Sequence, residues 1–150
     1  MMRVDTPPQG INDMIIPPVA HGVKVISIGM FVADNSPVVW RGPMLHRALE
    51  QFFADVYWGD LDVLLLDLPP GTGDIALSVA QLVPNSEVLV VTTPQAAAAE
   101  VAERAGQIAK ATEQNVVGVI ENMSYMTMPD GSKNMLFGTG GGNTVAAQLS

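Results

Sequence analysis

Two rhythms of apolar residues alternate along the chain, and each switch between them marks an element. Residues 23–29, VKVISIG, alternate and are β-branched, which predicts a first strand. Met44, Leu45, Ala48, Leu49, Phe52 and Phe53 recur at helical spacing behind Pro43, which predicts a helix over about 43–56. Residues 62–67, DVLLLD, are apolar on both faces and predict a second strand. Asp74 reads as the N-cap of a helix through about Leu82, ended by Pro84 and Asn85. EVLVVT at 87–92 predicts a third strand. The Ala-rich run at 95–113 predicts a helix with Ala97, Val101, Ala105, Ile108 and Ala109 on one side. VVGVIE at 116–121 predicts a fourth strand, and a last helix is expected from about Asn143. Residues 1–20, with Pro7, Pro8, Pro17 and Pro18, show little periodicity and read as an irregular lead-in.

Strands apolar on both faces and alternating with helices predict an α/β fold, a parallel sheet with helices on both faces. Ligands of such sheets bind at the carboxyl ends of the strands. Asp67, Thr92-Thr93-Pro94 and Glu121-Asn122 punctuate those ends and are expected to share one rim.

Composition narrows the class. A hydrophobic fraction of 48% against 15% charged residues, in 150 residues, suits one domain with a real core. The net charge of −8, without a basic cluster, argues against nucleic-acid binding. The absence of cysteine excludes disulfides and thiolate ligands for zinc or an iron–sulfur cluster within the chain. No apolar run approaches the ~18 residues of a membrane span, and the start lacks a signal-peptide core, so no membrane association and a cytoplasmic location are expected.

Each motif has a plain reading beside the chemical one. Asp67 after an apolar run has the form of a Walker B carboxylate, which orients water on Mg²⁺ beside a nucleotide's phosphates, and also of an ordinary loop acid. The PPGTGD extension favours the former, because Gly71 and Gly73 let backbone amides approach a ligand at a helix start. Asn122 offers a donor and an acceptor suited to a base edge, and equally to a turn. The run FGTGGGNT at 137–144 fails as a phosphate loop, since no Gly-Lys-Ser/Thr closes it, and reads as a loop capping the last helix. Arg41 beside Trp40 reads first as a surface residue. His21 and His46 are isolated, and Met123, Met126, Met128 and Met135 read as packing or exposed side chains.

DLPPGTGD (67–74), VTTPQ (91–95), GVIENMS (118–124), SPVVWRGPM (36–44) and the FG-GGG run (137–142) together resemble the Mrp-type P-loop ATPases, iron–sulfur cluster carriers related to MinD and the nitrogenase iron protein. The resemblance extends from about Ile16 to Val145 and implies a P-loop NTPase-like fold of the MinD type. It implies ATP and Mg as ligands, an iron–sulfur cluster as cargo, ATP hydrolysis, a homodimeric parent and iron–sulfur recipient proteins as partners. Asp67 would act on Mg through water, Gly71 would sense the γ-phosphate, Asn122 would read the adenine, and Pro94 would line the nucleotide pocket.

Two departures qualify that likeness. The family's Lys-Gly-Gly-x-Gly-Lys-Thr/Ser loop, its opening strand and the first-switch aspartate are absent, as are its further C-terminal strands. The chain thus reads as a single partial P-loop domain, incomplete and without its Walker A lysine. The Cys-x-x-Cys pair that many relatives carry before the Gly run is replaced by YMTMPDGSKNML. Three readings follow: an ATP-hydrolysing iron–sulfur carrier, a MinD or partition-type positioning ATPase, or a non-catalytic fragment unable to bind nucleotide.

Overall fold

The computed structural model describes residues 2–31, 42–69 and 73–150. The chain divides into two units, Met1–Asp67 and Leu68–Ser150.

The first unit opens with two hairpins where the sequence predicts an irregular lead-in. β1 (Gln9–Ile11) pairs antiparallel with β2 (Met14–Ile16), and β3 (Val19–Ala20) with β4 (Val23–Lys24). Each has a two-residue turn in the left-handed region: Asn12 and Asp13 at φ 49° and 63°, His21 and Gly22 at φ 51° and 77°. Two consecutive positive φ values match the right-handed twist of the flanking strands, and Asn, Asp and Gly tolerate them best. Strands of two or three residues are too short to show a period, so the turns were the available signal. His21 is therefore an exposed turn residue.

The strand predicted at 23–29 is confined to β4, and Ile28–Phe31 form a 3-10 turn. α1 (Gly42–Ala54) matches the predicted helix but ends earlier, because Val56 leaves it to bridge Ile15 in parallel. The amide of Ile15 donates to Asp55 O at 2.8 Å and that of Tyr57 to Ile15 O at 2.9 Å. Val56 is thereby buried. Trp58 Nε1 donates to Phe52 O at 2.8 Å, and Lys24 Nζ donates to Trp58 O, which closes the unit around the end of α1.

The predicted second strand, 62–67, is not one. These residues form no ladder, and Val63 and Leu65 are 70% and 86% exposed. An apolar run becomes a strand when a neighbour satisfies its backbone groups, and no described strand pairs with this one.

The second unit holds α2 (Gly73–Leu82), β5 (Glu87–Thr92), α3 (Ala96–Ala111), β6 (Asn115–Glu121), the small hairpin of β7 (Met126–Thr127) and β8 (Lys133–Asn134), and α4 (Gly141–Leu149). β5 and β6 pair in parallel, as the strand–helix–strand pattern requires. Val90, Ala99, Ala102, Val145 and Leu149 form the core, with Val88, Val116 and Val119 packed against it. The buried side of α3 is Ala99, Ala102, Gly106 and Ala109, rather than the predicted side carrying Val101, which is exposed. Small residues let α3 approach the sheet and α4 closely; a Cβ on Gly106 would collide with the Leu149 side chain. Asp74 lies within the first turn of α2 rather than before it, where a carboxylate is favoured by the helix dipole. α4 begins at Gly141, two residues before the predicted start.

The register between β5 and β6 shifts once. Val88 faces Val116, but Leu89 faces Gly118, so Val117 is an extra residue on β6. The bulge reverses the alternation after it. Val119 and Glu121 turn toward α3 and α4, while Ile120 turns away and is exposed, like Leu89 and Val91 opposite.

Candidate nucleotide-binding rim

The carboxyl ends of β5 and β6 lie side by side, with Thr92 paired to Glu121. Beyond the last pair, the amide of Asn122 donates to Thr92 O at 2.8 Å, extending the ladder by one bond. Pro94 and Asn122, two of the residues expected at the site, are therefore brought to one rim. Pro94 is buried and Asn122 is exposed.

Asn122 is held by its own turn. Its Oδ1 accepts from the Met123 amide at 2.9 Å, and Ser124 Oγ donates to Glu121 O at 3.0 Å. Met123 sits at φ 56°, a left-handed conformation that costs a non-glycine residue about 1 kcal/mol. The turn leaves the Asn122 NH₂ group without a partner among the described residues, free to donate to an acceptor nitrogen of a base.

Thr93 supplies a second open valence. Its Oγ1 is buried and has no hydrogen-bond partner among the described residues, whereas Thr92 Oγ1 donates to Thr93 O at 3.2 Å. A buried hydroxyl without a partner costs roughly 1–3 kcal/mol, which a ligand or water at the rim would relieve. The sequence placed Thr93 at a strand end but could not show that its hydroxyl lacks a partner.

The Gly-rich run packs instead of cradling. Gly140, at φ 88°, precedes α4 without a side-chain cap. A Cβ on Gly141 would lie 2.7 Å from Thr93 O and 2.8 Å from Pro94 O, and one on Gly142 would lie 2.7 Å from Glu121 Cβ. The Gly142 amide donates to Glu121 Oε2 at 2.7 Å. A groove of ≈ 310 Å³ runs beside this junction, lined by Pro94, Glu100, Glu103, Thr139, Thr144 and Gln148 among others.

Asp67 ends the first unit, exposed and outside any helix or strand. Gly71 and Arg41 lie outside the described residues. His46 Nε2 is 3.4 Å from Glu50 Oε1 one turn along α1, which accounts for it structurally. Met123 and Met126 line an apolar hollow of ≈ 220 Å³ with Tyr125, Leu136 and Phe137, and Lys133 Nζ lies 3.9 Å from the Tyr125 ring centroid.

The residues fit a nucleotide in part. The base side has the Asn122 amide, the unpartnered Thr93 hydroxyl and buried Pro94. The phosphate side has no Gly-Lys-Ser/Thr loop in the sequence. No group of three or more His, Cys, Asp or Glu side chains among the described residues could hold a metal ion, so Asp67 offers a single carboxylate. No described helix is long and apolar enough to cross a membrane.

The ParA family model, described as NUBPL iron-transfer P-loop NTPase, matches residues 1–150. An iron–sulfur cluster carrier protein of Mycobacterium tuberculosis is 69% identical over 150 residues, which cover 100% of this chain and 39% of that protein. One of Bacillus subtilis is 47% identical over 151 residues, covering 100% and 43% respectively. A solved nucleotide-binding protein of Archaeoglobus fulgidus, in complex with ADP, has a TM-score of 0.73 at 33% identity and covers 95% of this chain and 55% of its own. The fold is thus P-loop NTPase-like, and the chain spans well under two thirds of the length of these relatives.

Proposed function

Since the chain belongs to the ParA family of NUBPL iron-transfer P-loop NTPases, we propose that it forms the base-binding and switch part of an ATP-dependent iron–sulfur cluster carrier. The observation that supports this reading is the rim at the ends of β5 and β6, where Asn122 presents its unpartnered side-chain NH₂ group beside Pro94 and the unpartnered Thr93 hydroxyl. Asn122 reads the adenine edge, and Pro94 walls the pocket. Gly71 would sense the γ-phosphate through its amide, and Asp67 would hold a Mg²⁺ ion through water. The metal, when bound, supplies charge neutralisation at the phosphates.

The cluster is cargo rather than a resident group. Without cysteine, this chain offers it no thiolate, so thiolate ligands come from elsewhere in the assembly or from the recipient. The proposed setting is the cytoplasm, with iron–sulfur recipient proteins as partners and a homodimer as the working form.

One observation favours a second reading for the chain by itself, that of a non-catalytic piece. The sequence has no lysine-bearing phosphate loop, and Asp67 is not held on a strand. The 150-residue chain is therefore expected to show no micromolar affinity for Mg-ATP by isothermal titration calorimetry; micromolar binding would mean that this chain supplies its own cradle. The main reading is tested in a chimera carrying residues 1–150 in place of the matched segment of the M. tuberculosis relative. That chimera is expected to hydrolyse ATP, and Asp67→Asn is expected to lower turnover by about two orders of magnitude or more. Wild-type turnover in that variant removes Asp67 from the mechanism.

A further inference from the structure

Glu121 stands at the junction of the three elements that make the rim. The bulge at Val117 turns its side chain toward α4, and its Oε2 accepts the Gly142 amide at 2.7 Å. Its own carbonyl accepts from Ser124 Oγ at 3.0 Å and so closes the Met123 turn that aims Asn122. The absence of Cβ atoms at Gly141 and Gly142 allows α4 to rest on the Thr93 and Pro94 carbonyls and on Glu121 itself. One residue thus ties the start of α4 to the strand end immediately before the base-reading side chain. Its carboxylate also occupies an amide at the positive end of α4, where an anion would otherwise be favoured. The phosphates of a nucleotide are accordingly not expected at the Gly-rich run.

We propose that Glu121 is a positioning residue for base recognition: its bond to Gly142 anchors α4 against the rim and fixes the direction of Asn122. This rests on the reading of Asn122 as the group that recognises adenine. A purely structural role for Glu121 would weaken all binding and stability alike. A positioning role changes which base is preferred while leaving the phosphate contribution in place.

The test begins with the 150-residue chain, by amide NMR. The Gly142 amide, which donates to Glu121 Oε2, is expected to be protected from hydrogen exchange in the wild-type chain and to lose that protection in Glu121→Ala. A Gly142 amide that exchanges as freely in the wild-type chain as in Glu121→Ala overturns the anchor. The second arm uses the chimera and compares Mg-ATP, Mg-GTP and Mg-tripolyphosphate affinities. Glu121→Ala is expected to reduce the ATP-over-GTP preference roughly tenfold, with tripolyphosphate affinity held within about twofold, on the scale of a lost hydrogen bond. Glu121→Gln, which keeps an acceptor oxygen, is expected to restore most of the preference and serves where the alanine variant does not fold. Unchanged preference in Glu121→Ala, with Asn122→Ala reducing it, overturns the positioning role alone. Unchanged preference in Asn122→Ala overturns the reading of Asn122 and the proposal with it.

Discussion

Replacing Gly141 with alanine tests whether the Gly-rich run is a packed joint. Inside a helix, Gly→Ala ordinarily stabilises by about 0.5–1 kcal/mol, because glycine loses more backbone freedom on folding. Here the new methyl would lie 2.7 Å from Thr93 O and 2.8 Å from Pro94 O, which are backbone atoms fixed at the end of β5. They cannot rotate away, so α4 has to move. α4 carries Val145, fully buried, and Leu149, 8% exposed. Overpacking of this kind costs about 1–3 kcal/mol. Complete lifting of the helix would forgo the burial of both side chains, at about 1.5–3 kcal/mol each. The overpacking cost outweighs the propensity gain, and subtracting one from the other leaves an expected net loss of up to about 2 kcal/mol. Urea unfolding followed by far-UV circular dichroism would read it as a lowered midpoint at unchanged slope. Gly10→Ala is the control, since a Cβ there meets nothing within 4 Å. A Gly141→Ala midpoint equal to or above wild type would refute the close-packed joint.

Val145→Ala removes two methyl groups from the most buried side chain of the second unit and should cost about 2 kcal/mol by the same urea measurement, whereas Val101→Ala, on the exposed side of α3, should fall within about 0.5 kcal/mol of wild type. Gln114, buried, donates from Nε2 to Ser86 Oγ at 2.7 Å and so ties the turn after α3 to the turn before β5. Gln114→Leu strands that hydroxyl and should lower stability by about 1 kcal/mol in thermal or urea unfolding. The carboxyl of Asp130 is held below the ordinary aspartate value by the hydroxyl of Ser132 at 2.6 Å and the Ser132 amide at 2.9 Å. A depressed folded pKa means stability present above the unfolded value and lost as pH falls through the folded one, and full exposure keeps that contribution small. Carbon-detected NMR titration should show Ser132→Ala moving the Asp130 midpoint upward; an unmoved midpoint would discard the hydroxyl as the cause.

Local sequence determined the core of the second unit. EVLVVT and NVVGVIE are continuous β-branched runs separated by an Ala-rich helix, and strand–helix–strand connectivity requires them to pair in parallel, which puts Pro94 and Asn122 on one rim. Turn chemistry at Asn12-Asp13 and His21-Gly22 likewise follows from the residues themselves. Pairing and packing decided the rest. The run 62–67 has the composition of a strand, but strand formation needs a partner's hydrogen bonds, which the described residues do not provide. The buried side of α3 was chosen by closeness, since alanine and glycine allow the contact that Val101 would prevent. The facing of Glu121 depended on one extra residue in β6, because a one-residue shift exchanges the two faces of a strand, and periodicity along a single strand carries no record of its partner's register.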